Sequence, residues 1–81
     1  MNEREMVLLG LFHGVSKKTN KPFKMAYFYS KDDSTNALGY KPYTFFVGDD
    51  VNFTESDLLK KFVVQYVYAG GQYVFVQSKR V

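Results

Sequence analysis

The last third of the chain, "KFVVQYVYAGGQYVFVQSKRV", limits the possible folds more than any other stretch. Two runs rich in Val, Tyr and Phe flank Gly70-Gly71. A Gly-Gly pair adopts the positive φ angles of a tight hairpin turn without steric cost. Residues 62–69 and 72–81 are therefore expected to be paired antiparallel strands. Alternation puts Phe62, Val64, Tyr66 and Tyr68 on one face, with Val63, Gln65 and Val67 on the other. In the last strand Tyr73, Phe75 and Gln77 are expected to oppose Val74, Val76 and Ser78.

Upstream, the same period of two continues. Residues 23–30 place Phe23, Met25, Tyr27 and Tyr29 on one side and Lys24, Ala26, Phe28 and Ser30 on the other. Residues 5–13 form a continuous apolar run, read as a first strand, in which Gly10 marks a bend or bulge. Residues 43–47 make a short aromatic third strand, bounded by the turn formers of "KDDSTNALGYKP" and "GDD". "FTESDLLKKF" is the one helical signature. Thr54 can cap it with Asp57 three positions on, and Lys60 and Lys61 suit its C-terminal end.

Five short strands in a chain of 81 residues must be held by apolar burial, by self-association, or by both, since there is no cysteine for a disulfide or thiolate metal site. A flat sheet of this size leaves one apolar face and two edges in water, and curling removes both. The expected fold is a single all-β domain over residues 1–81. It would be a small five-stranded OB-like barrel with one short helix between strands three and four. An SH3-like barrel is the nearest competitor.

The sequence excludes several functions. His13 is the only histidine and no nucleophile–base–orienter set assembles, so an enzyme is not expected. Asp32-Asp33 and Asp49-Asp50 lie in turns, where acid pairs are usually solvated, so no metal or other cofactor is expected. Gly70-Gly71 lacks the Lys-Ser/Thr and the helix of a phosphate loop. No stretch approaches the ~20 apolar residues of a membrane span. The acidic start "MNEREMVLLGLF" does not read as a signal peptide, and a cytoplasmic setting is the simplest expectation.

Charge and rings point to a binding role. Residues 6–31 hold five lysines and no acid, although the net charge is only +3. Eight Phe and seven Tyr are more rings than so small a core can hide. Single-stranded nucleic acid needs cations along its backbone and flat side chains for its bases. Lys17, Lys18, Lys21 and Lys24 are candidate phosphate contacts, with Lys41 beside them. Phe23, Tyr27, Tyr29, Tyr40 and Tyr43 are candidate stacking platforms. The same pattern also fits a solvated hairpin tip above a core-facing strand. A protein-interaction barrel or an RNA-binding OB domain are the alternatives. Tyr66, Tyr68, Tyr73 and Phe75 exceed what the core is expected to absorb, which suggests a homodimer.

"GVSKKTNKPFKM" resembles the basic hairpin of the filamentous-phage gene-five single-stranded DNA-binding (helix-destabilising) proteins. Gly14, Val15, Ser16 and Lys17 match its start. Lys21, Pro22 and Phe23 match its Lys-Pro-aromatic core, and Met25 falls at a further apolar position. "GYKPYTFFV" and "GGQYVFVQSKRV" are loosely similar to that family's third and last strands. The chain departs from the pattern in one extra residue between Lys17 and Lys21, in Asn20 where a glycine is typical, and in the capped segment at 54–61. The resemblance implies a five-stranded OB barrel, a symmetric dimer, and cooperative, sequence-nonspecific coating of single-stranded DNA in phage-like DNA replication.

Overall fold

The computed structural model describes residues 1–81 as one antiparallel sheet. Its strands are β1 (Asn2–Val15), β2 (Pro22–Lys31), β3 (Tyr40–Val47), β4 (Lys61–Ala69) and β5 (Gln72–Arg80), in the order β3-β2-β1-β4-β5. The expected all-β, five-stranded architecture is present. No helix is long and apolar enough to cross a membrane.

Three expectations are corrected. First, the sheet is curled but is not a closed barrel, because no backbone hydrogen bond joins β3 to β5. Side chains bridge that seam instead: Tyr43 and Tyr73 lie 5.2 Å apart by ring centroid, Phe45 and Phe75 5.7 Å. Second, the helix is a single 3-10 turn at Glu55–Asp57. Asp57 holds it by accepting the Thr54 backbone N–H at 2.9 Å and the Thr54 hydroxyl at 3.2 Å. These bonds, the backbone one foremost, keep the Asp57 carboxyl below its ordinary range. Leu59 then turns left-handed at φ 62° and Lys61 already belongs to β4, so Lys60 and Lys61 do not end a helix. Third, the β5 alternation breaks. Gln65 faces Gln77 but Tyr66 faces Phe75, so Val76 is an extra residue. The bulge puts Ser78 on the face of Tyr73 and Phe75 and sends Gln77 to the other.

A second bulge shapes β1. Leu8 pairs with Phe28 and Gly10 with Tyr27, leaving Leu9 unpaired. Without it, Phe12 would share the inward face of Leu8. With it, Leu11 turns in against the core and Phe12 turns out beside Met25. The β-bulge expected at Gly10 is thus present, and it decides which ring reaches solvent.

The core lies inside the curl: Met6, Leu8, Ala26, Phe28, Tyr43, Phe45, Phe62, Val64 and Tyr66. Phe28 meets Phe45, Phe53 and Phe62 edge-on at 5.9–6.2 Å, the favoured geometry of aromatic pairs. The one buried polar side chain, Ser30, donates to the Glu5 carbonyl at 2.9 Å. Gly70 and Gly71 sit at φ 60° and 79°, so the last hairpin turns on a glycine pair as its sequence requires.

A candidate nucleic-acid interface

The β1–β2 hairpin outruns its neighbours. β1 pairs with β4 only from Asn2 to Val7, and β2 with β3 only from Lys24 onward. Val15, Pro22, Gly14 and Phe23 therefore pair only with one another. The loop between them is closed by the Ser16 N–H donating to the Lys21 carbonyl (2.9 Å) and the Asn20 N–H to the Ser16 carbonyl (2.8 Å). Asn20 sits at φ 58°, a left-handed position that asparagine tolerates better than other side chains do. Lys17, Lys18 and Lys21 project from this loop, exposed, and none has a carboxylate partner.

The odd positions of β2 lie outside the curl. Phe23, Met25, Tyr27 and Tyr29 form a half-buried row on the outer face, while Ala26, Phe28 and Ser30 fill the interior. Of the two readings this row allowed, core face or outer face, the fold adopts the second. Each residue has an outward neighbour across the sheet. Met25 lies between Phe12 and Phe46, and Tyr27 between Gly10 and Thr44. Phe23 stands 6.0 Å from both Phe12 and Phe46 by ring centroid, and Tyr29 stands 5.2 Å from Tyr40. Phe46 is 60% exposed, Phe12 46% and Tyr40 71%. From Phe23 to Tyr29 the stripe runs about 20 Å, at ~3.3 Å per residue. Gly14 lies beneath its upper end, where an added Cβ would come within 2.6 Å of Phe23 and 2.7 Å of Phe12. Only glycine lets both rings lie down on the hairpin there.

Three candidates fall elsewhere. Tyr43 is 5% exposed and belongs to the core, because it pairs with Phe28 on the inward face. Burial pushes its phenol above the ordinary tyrosine value. Lys24, at an even position, also turns inward. Its ammonium donates to the carbonyls of Asp49 (3.2 Å) and Val51 (2.9 Å) and to Asn52 Oδ1 (3.1 Å), so all its donors serve the loop after β3. Lys41 points into the β3–β5 seam and donates to the Tyr73 hydroxyl at 3.1 Å. It lies 5.4 Å and 5.6 Å from the ring centroids of Tyr43 and Tyr73. The Tyr73 bond, first, and the nearby phenols raise its pKa. The structure thus brings Phe23, Tyr27, Tyr29 and Tyr40 together on one face below Lys17, Lys18 and Lys21, and takes Lys24, Lys41 and Tyr43 off it.

Two rings of this face were not foreseen. Phe46 follows from alternation once Phe45 is placed inside. Phe12 has no signal in an unbroken apolar run, because the bulge at Leu9 decides its side. Comparison of the chain with family models, with curated proteins and with solved structures finds no match.

Proposed function

We propose that the protein is a non-enzymatic, sequence-nonspecific single-stranded DNA-binding protein with an OB-like domain. The observation that carries this reading is the continuity of the outer face: three unpaired lysines at the hairpin tip lead into an open stripe of seven apolar or aromatic side chains, Phe12, Phe23, Met25, Tyr27, Tyr29, Tyr40 and Phe46. Lysines at the tip neutralise phosphates, and bases stack on the rings of the stripe. The strand order supports the OB reading, since a partly open five-stranded barrel binds nucleic acid through its second and third strands and the loop before them.

Phe23→Ala and Phe46→Ala are each expected to weaken oligo-dT binding by about 1–3 kcal/mol. Both side chains lie outside the core, so thermal melting should change little. Fluorescence polarisation with labelled oligo-dT, duplex DNA and RNA tests the class of ligand. Preference for the single DNA strand is the expected order. Equal affinity for RNA would assign an RNA-binding domain, and binding that is insensitive to salt and to loss of the lysines would mark a protein-interaction barrel.

Self-association belongs to the same proposal on narrower ground than the sequence offered. The core absorbs Tyr66, and Tyr73 and Phe75 pack against it half-buried. What is left is Tyr68, 63% exposed, with Val74 and Val76 beside the unpaired edge of β5. An isologous pairing through this hairpin would bury them. Sedimentation at micromolar concentration should give a dimer, and Tyr68→Ser a monomer; a wild-type monomer would remove the dimer from the account.

A further inference from the structure

At the end of the stripe away from the hairpin tip, Tyr29 and Tyr40 border a groove of about 530 Å³ that also takes in Arg4, Lys31, Lys61 and Asp33. A second, polar cavity of about 280 Å³ shares Arg4, Lys31 and Asp33 with it and adds Asp32, Ser34, Lys41 and Tyr43. Three cations thus stand where a strand leaving the Tyr29–Tyr40 pair would run. Unlike the lysines of the tip, two of them are already paired. Arg4 Nη1 meets Asp33 Oδ2 at 3.2 Å, and Lys61 Nζ meets Glu5 Oε1 at 3.6 Å.

The Asp33 contact is built to exchange. Its side chain is two-thirds exposed and its one hydrogen bond is to Arg4. The β2–β3 loop that carries it is held by other groups: the Asp32 N–H donates to the Gly39 carbonyl at 3.0 Å, and Asp32 Oδ1 accepts the Ser34 N–H at 2.9 Å. Asp33 can therefore swing away without undoing the loop. Arg4 stays in place, because Nη1 also donates to the Lys31 carbonyl at 3.3 Å. A guanidinium released in this way offers a planar fork suited to phosphate.

We infer that Arg4, with Lys31 and Lys61 beside it, is a second phosphate subsite, which the Asp33 carboxylate occupies until a nucleic-acid phosphate displaces it. The inference rests on the single-strand reading and deepens it. The tip engages first because its lysines are free, and the far end engages only by exchange. Exchange of one anion for another at Arg4 releases no net counterion, so this contact is silent in the wild-type salt dependence.

Asp33→Asn removes the internal competitor. Oligo-dT of about 16 nucleotides, the upper site size of one such domain, should bind about fivefold tighter at ~0.1 M salt. Its log–log salt slope should steepen by about 0.7, the value of one added phosphate contact on a single strand. Glu55→Gln makes the same change in net charge at an acid with no ionic partner, and should change affinity less than twofold. Adding Arg4→Gln to Asp33→Asn should abolish the gain. The Arg4 Nε–H resonance of the wild-type protein, which needs no variant to fold, should move on addition of oligo-dT. The inference is overturned if Asp33→Asn behaves like Glu55→Gln, if its gain survives loss of Arg4, or if the Arg4 resonance stays fixed while oligo-dT binds. Wild-type protein that does not bind oligo-dT at all overturns the single-strand reading itself, and this inference with it.

Discussion

Phe28→Ala should remove a large share of the folding stability at room temperature. Phe28 is fully buried and packs edge-on against Phe45, Phe53 and Phe62, rings from three separate segments of the chain. Removing such a ring costs about 3–5 kcal/mol, as lost transfer energy plus the cavity it leaves. A domain of this length has roughly 4–12 kcal/mol in total. No disulfide shares the load. Chemical denaturation followed by circular dichroism gives the number directly. A loss below about 1 kcal/mol would mean that the curled sheet does not close around Phe28. The same change at Phe46, on the outer face, should cost far less, and the contrast between the two checks the assignment of faces as well as the core.

The second large effect is electrostatic. Replacing Lys17, Lys18 and Lys21 together by alanine should lower oligo-dT affinity about 100-fold at ~0.1 M salt. Each phosphate contact on a single strand contributes about 0.7 to the log–log slope, or roughly fivefold at that salt. The wild-type slope should accordingly lie near −2 and fall close to zero in the triple variant. Lys24→Ala and Lys41→Ala should leave the slope nearly unchanged, because their ammonium groups are bonded to the loop after β3 and to Tyr73. Folding should survive the triple change, since all three side chains are exposed and unpaired. An unchanged slope in the triple variant would show that the tip does not touch phosphate.

Most of the strand pattern was legible because side chains alternate with a period of two, and Gly70-Gly71 named its own turn. The odd row of β2 was legible as a row, but its side was not. A period of two separates faces without saying which one is buried. That choice came from Ala26, Phe28 and Ser30 facing Tyr43 and Phe45 across β3. The two bulges were the real obstacle. An inserted residue reverses every side chain beyond it, so Phe12 reached the outer face and Gln77 left the inner one with no mark in local composition. Tyr43 and Lys24 were misplaced for a different reason. A tyrosine or a lysine reads as surface, yet the interior of this small curl takes the phenol, and three carbonyl-type oxygens hold the ammonium. The segment at 54–61 carries good capping residues, but the chain must reach β4 within a few residues, so it keeps a single turn.

The central claim is that one outer face, from the lysine tip down β2, receives a single strand of DNA. The most direct measurement is an amide chemical-shift titration of the whole protein with oligo-dT. The account predicts shifts along residues 12–29 and at Tyr40 and Phe46, largest from Lys17 to Met25, with Val63, Gln65 and Val74 on the outer side of β4 and β5 unmoved. Shifts concentrated on β4 and β5, with the tip and Phe23 silent, would contradict it.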